Sequence, residues 1–207
     1  MTTNTQSDFA KERPPVDDSL PYADRIENKE EHENFLWTKI TDKIPWVIQR
    51  ASAEDDKRGI DAWAVGLKNG PITTPITPKS IQLKMRQYGG DDVLIEMVRP
   101  WPPTNFDHPW TGRDIKTSVH FYYSVSLEGE LRIFMAQSLK DVAIKMCSQF
   151  IAKFHKSPDL KTLKLAEGEA KIITDPSEQS MYGMGKVQKL VAFVNPSVVK
   201  PTYLFKL

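Results

Sequence analysis

Three polar residues at strand spacing could do chemistry together. Asp61 lies in Gly59-Ile60-Asp61-Ala62-Trp63-Ala64-Val65, and Gln82 and Lys84 lie in Ser80-Ile81-Gln82-Leu83-Lys84-Met85-Arg86. A strand turns successive side chains to opposite faces. Ile81, Leu83 and Met85 can therefore enter a core while Gln82, Lys84 and Arg86 share the other face. Read as two strands of a hairpin, these stretches place an acid, an amide and a lysine side by side. Hydrolysis of a phosphodiester calls for charge neutralisation at the scissile phosphate, an activated water and a stabilised leaving oxygen. A hard cation such as Mg²⁺, with Mn²⁺ as a substitute, serves this when oxygen ligands hold it. The Asp61 carboxylate, the Gln82 amide oxygen, the Leu83 backbone carbonyl and a helix carboxylate from Glu33 make such a set. Lys84 would be the neighbouring cation that helps orient the water and stabilises developing charge. The competing reading is an ordinary half-solvated hairpin, which also alternates polar and apolar residues.

The elements that must position these residues follow from the surrounding pattern. Residues 24–40 read as a helix with Ile26, Glu33, Trp37 and Ile40 near one face, ended by Pro45. Trp46–Arg50 reads as a short strand and 51–57 as a charged loop. Gly66–Lys79, with Asn69-Gly70-Pro71, Pro75 and Pro78, reads as a connection. Asp92–Val98 is a largely buried strand. Residues 99–114 form a long ordered loop whose Trp101 and Trp110 anchor it. Thr117–Leu127 and Glu130–Ala136 form a hairpin turning at Glu128-Gly129. A helix follows over 138–156, capped by Ser138. Further strands are expected near 163–165, 169–174 and 189–195.

This arrangement resembles the PD-(D/E)XK nuclease superfamily over residues 24–156, in the form that carries Gln-x-Lys. Glu33, and less directly Glu30, matches its helix acid. Asp61 matches its strand Asp, and Gln82-Leu83-Lys84 matches its (Glu or Gln)-x-Lys. The resemblance implies an α+β fold with a central mixed β-sheet flanked by helices, restriction-endonuclease-like. It also implies a Mg²⁺-dependent deoxyribonuclease of phage or mobile-element type. Two departures stand out. Ile60 precedes Asp61 where Pro is usual, and Gln82 replaces the commoner Glu, which removes one anion. Glu96, an acid within an apolar strand, is a further candidate for the site or for an ion pair with a neighbouring strand. A nuclease-fold protein that binds DNA or assembles without cutting is the alternative reading.

The totals fit this frame. The 207 residues are 40% hydrophobic and 27% charged, with net charge +1. That balance describes a globular protein whose nucleic-acid surface must be a local patch. Arg86, Arg113 and Lys116 are the candidates for DNA contact. One cysteine excludes an internal disulfide framework, and with it the four scattered histidines argue against a structural zinc site. No apolar run spans a membrane and no leader pattern opens the chain, so the expected setting is the cytoplasm, of a host if phage-encoded. The expected organisation is a disordered arm over 1–20, a nuclease-like core over 21–156 and a β-rich extension over 157–207. A homodimer would let two such sites cut two strands.

Overall fold

The computed structural model describes residues 8–14, 22–69, 72–85, 91–175 and 187–207. Arg86 and the glycine-rich 182–185 turn lie outside the described residues. In chain order the elements are α1 (Asp8–Glu12), α2 (Tyr22–Lys43), β1 (Trp46–Arg50), α3 (Ala53–Lys57), β2 (Ala62–Asn69), β3 (Ile72–Met85) and β4 (Val93–Val98). They continue as α4 (Arg113–Lys116), β5 (Phe121–Val125), β6 (Glu130–Met135), α5 (Ala136–Phe154), β7 (Thr162–Leu165), β8 (Gly168–Asp175), β9 (Val187–Val194) and β10 (Tyr203–Lys206). The class is α+β. Among the described residues no helix is long and apolar enough to cross a membrane.

Two sheets carry the structure. The first has the order β1-β2-β3-β5-β6-β10, with β3 and β5 parallel and the other pairs antiparallel. It curls, so that Trp46 on β1 meets Tyr203 on the far edge strand at 4.8 Å between ring centres. Helix α2 lies against one face. Its buried Leu36, Trp37 and Ile40 recur at helical spacing and meet Ala62, Ala64, Ile81, Tyr123 and Ile133. The second sheet is antiparallel, β4-β9-β8-β7. Its apolar residues share a core with α5 and with Tyr122 and Phe134 of the first sheet. Tyr122 and Tyr123 are sequence neighbours that serve different cores, as strand alternation requires.

Several expectations are corrected. Most of the 66–79 stretch is strand, not connection. Pro75 and Pro78 are tolerated because β5 joins β3 only from Ile81 onward, leaving the earlier residues of β3 an open edge among the described residues. Pro78 also lies where the β2–β3 register shifts, between the Ala64–Lys79 and Gly66–Pro75 pairs. The 51–57 loop contains α3, capped by the Ser52 hydroxyl, which accepts from the Asp55 N–H. Helix α5 starts two residues before Ser138, directly off β6, with Met135 at its N-cap and no side-chain cap. Within the expected disordered arm, α1 is helical and its Phe9 is buried against α2. The strand 93–98 does not extend the sheet that holds Gln82 and Lys84 but pairs with β9 instead. The C-terminal part is accordingly built into both sheets, through β9 on β4 and β10 on β6.

Trp101 is 5% exposed and packs edge-on against Phe106, Phe150 and Phe154. The long loop is therefore anchored by its aromatics, as its composition predicts. Gly112 within it lies so close to β4 that an added Cβ would stand 2.3 Å from the Glu96 carbonyl oxygen. That approach sets α4 against β4.

Candidate functional site

Asp61 stands where the β2–β3 ladder ends. Its N–H donates to the Ile81 carbonyl at 2.9 Å, and its Oδ2 accepts the Leu83 N–H at 2.6 Å. The N–H and C=O of an extended residue point to the same side. The Leu83 carbonyl is thus directed to the side that Asp61 occupies, beyond the last β2 pair, Ala62–Ile81. Burial pushes the Asp61 carboxyl up to about 6. The Leu83 N–H opposes that rise, the Glu33 carboxylate adds to it, and Lys84 and Arg113 counter it. A cation at this carboxylate would relieve the cost of ionising it.

Glu33 reaches the same place from α2. Glu30, Glu33, Asp56 and Asp61 line one open cleft of about 380 Å³, together with Arg50 and Ser52. Oε1 of Glu33 is already engaged, by Arg50 at 2.8 Å and by the Trp37 indole N–H at 3.2 Å. Arg50 also lies over the Trp37 ring at 5.4 Å. The helix acid is therefore held by its own arginine at the mouth of the cleft, and Glu30 is exposed beside it.

Gln82 and Lys84 point away from the α2 core, on the face that alternation assigns them. Gln82 is 6% exposed, and its amide oxygen is buried without a hydrogen-bond partner among the described residues. An unsatisfied buried acceptor costs roughly 1–3 kcal/mol, so this oxygen is poised for a cation or a donor. The Lys84 ammonium lies 2.5 Å from Oδ1 of Asp114 and 5.1 Å from the Tyr122 ring centre. The Lys84 and Asp114 side chains are 13% and 4% exposed. Asp114 is the residue that sequence reasoning missed. It lies on α4, in a stretch whose sequence reads as irregular aromatic loop, and the signal for it was the need of the Lys84 ammonium for an anion.

Glu96 does not line the carboxylate cleft. Its Oε1 accepts the Arg113 N–H at 2.9 Å and its Oε2 pairs with Lys189 of the neighbouring strand β9 at 3.1 Å. The ion-pair reading of this residue is the one realised. It still bears on the site, because its N–H donates to Oδ2 of Asp114 at 2.7 Å. Glu96 thus fixes the aspartate that holds Lys84. Arg113 and Lys116 stand exposed on α4, and the Arg113 guanidinium donates to the Asp56 carbonyl at 2.9 Å.

Among the described residues, no three His, Cys, Asp or Glu side chains converge as a metal cluster. The candidate oxygens are of another kind: the Asp61 carboxylate, the Gln82 amide oxygen and the Leu83 carbonyl, with Glu33 from α2. Of these elements, Asp61 and Glu33 line the carboxylate cleft, whereas Gln82, Leu83 and Lys84 do not. The candidates are all hard oxygens, and one is orphaned, which fits Mg²⁺ or Mn²⁺. No protein-family model matches this chain, and neither a curated protein nor a solved structure matches it.

Proposed function

We propose that this protein is a metal-dependent DNA endonuclease that hydrolyses phosphodiester bonds with a restriction-endonuclease-like, PD-(D/E)XK-type site. The orphaned oxygen of Gln82 carries the proposal, because it lies on the strand whose Leu83 N–H Asp61 accepts and has no donor among the described residues. Asp61, Gln82 and the Leu83 carbonyl would hold Mg²⁺, with Glu33 completing the set from α2. A divalent cation there would supply charge neutralisation at the scissile phosphate. Asp61 is ionised above about pH 6, so it presents a carboxylate at neutral pH. Lys84, paired with Asp114 at 2.5 Å, lies on the same strand face as Gln82, where it would stabilise the developing negative charge. Asp114 and Glu96 are positioning residues that hold Lys84 in place. Arg113 and Lys116 would contact the DNA backbone, and two copies would cut both strands of a duplex.

The pairing of Glu33 with Arg50 and the neutral amide at 82 favour one second reading, a nuclease-fold protein that binds DNA without cutting. Nicking of supercoiled plasmid in Mg²⁺, with Asp61→Ala and Lys84→Ala alongside, separates the two. Nicking by wild type that both variants lose, with their circular dichroism unchanged, supports the proposal. Binding without nicking supports the second reading, and equal nicking by all three removes the assigned site.

A further inference from the structure

One more cleft lies beside the carboxylate cleft, and a second further cleft lies beside that one. The first, of about 480 Å³, lies on the other side of the 56–61 segment. Asp56 and Asp61 line the carboxylate cleft, while Lys57, Arg58 and Ile60 line this one with Arg113 and Lys116. Four cations and no carboxylate face it. Arg58 pairs with Glu54 at 2.8 Å, but both side chains are more than half exposed, and such pairs are weak enough to exchange for a phosphate. The second cleft, of about 380 Å³, shares Thr117 and Ser118 with the first and adds His120, Gln137 and Lys140.

The donor pattern of the second cleft is fixed by one backbone contact. The Ser80 N–H donates to Nδ1 of His120 at 3.1 Å. A backbone amide can only donate, so Nδ1 is the acceptor and the neutral ring carries its hydrogen on Nε2. His120 is exposed and therefore offers an N–H. Lys140 is 8% exposed and spends one donor on the Thr117 carbonyl at 2.5 Å, leaving the rest of its ammonium. Burial pushes the Lys140 ammonium below its ordinary value; the Asp114 carboxylate opposes that shift and Lys84 adds to it.

We infer that these two clefts hold successive phosphates of one nucleic-acid strand as it leaves the Asp61 site. The direction of the strand rests on the nuclease reading, but the binding does not. Net charge of +1 gives no general attraction, so affinity must come from this local track. Discrete clefts joined end to end suit a chain of spaced phosphates better than a flat lipid surface.

The test is fluorescence anisotropy with a labelled single-stranded oligonucleotide in EDTA, where no cleavage occurs. Variants are Lys116→Glu, the Lys57→Glu/Arg58→Glu pair, His120→Ala and Lys140→Met, each checked for unchanged thermal unfolding. Each lost phosphate contact should flatten the slope of log affinity against log salt by about 0.7. His120→Ala should weaken binding without changing that slope, since the ring is neutral, and Asp61→Asn should bind at least as well as wild type. Wild-type binding that the basic variants leave unchanged overturns the track, and intact nicking beside it would leave the nuclease reading standing. Track-dependent binding without nicking by wild type would keep the track and remove the nuclease reading. Failure of wild type to bind overturns the track, as does equal, variant-sensitive binding to anionic phospholipid vesicles.

Discussion

Replacing Asp61 with Asn should make the metal-free protein more stable, and only at high enough pH. The carboxyl rises from 3.8 to about 6 in the folded chain, mainly through burial. Each pH unit of such a rise is worth about 1.4 kcal/mol, so ionising Asp61 in place costs about 3 kcal/mol at most. Partial exposure of the carboxylate to the cleft brings the expected figure to about 1–2 kcal/mol. The sign is opposite to that of an ion-paired aspartate. Between 3.8 and about 6 the folded chain binds more protons than the unfolded one, so stability falls as pH rises through that window. Above it the penalty is constant, and below it the penalty vanishes. Asn is neutral and can still accept the Leu83 N–H. Asp61→Asn in EDTA should therefore gain about 1–2 kcal/mol over wild type at pH 8, or roughly 2–8 °C in Tm for a chain of this size. The gain should shrink towards zero near pH 4. Mg²⁺ should stabilise wild type at pH 8 and leave Asp61→Asn unmoved. Urea unfolding of both proteins across pH reads this directly. A variant that is no more stable than wild type at pH 8, or a difference independent of pH, would refute the reasoning.

Three further outcomes follow from the same contacts. Gln82→Leu removes the orphaned oxygen at similar volume, so it should be neutral or stabilising by up to about 1–3 kcal/mol in urea unfolding while abolishing Mg²⁺-dependent nicking. Lys84→Met strands a buried Asp114 and should cost about 3–5 kcal/mol, most of it recovered by adding Asp114→Asn, as a double-mutant cycle would report. Gly112→Ala forces a Cβ to 2.3 Å from the Glu96 carbonyl oxygen. It should cost about 1–3 kcal/mol and lower nicking, because α4 carries Asp114.

The parts of the site that local pattern governs were legible in the sequence. Alternation in Ser80–Met85 correctly placed Gln82 and Lys84 on the face opposite Ile81, and helical spacing correctly set Glu33 beside the buried face of α2. The hairpin of β5 and β6 was likewise marked by Gly129, whose φ is +79°. What pattern could not supply was long-range. Asp114 meets Lys84 across 30 residues from within a stretch with no periodicity. Prolines obscured the first half of β3, because nothing local tells an open edge from a loop. Residues 93–98 were legible as a buried strand, yet the partner is β9, about which residues 93–98 say nothing. The relation of Asp61 to Leu83 was also hidden: the carboxylate seizes a backbone N–H at the ladder's end, a contact set by where β2 leaves β3.

On the proposed function, Asp61, Gln82 and the Leu83 carbonyl hold a divalent cation. Titration of Mn²⁺ into the protein at pH 8, followed by electron paramagnetic resonance of the free ion, measures this most directly. Wild type should show a saturable site that weakens sharply in Gln82→Leu, is lost in Asp61→Asn and is displaced by Mg²⁺. Mn²⁺ binding of equal strength in all three proteins, or none in wild type, would contradict it.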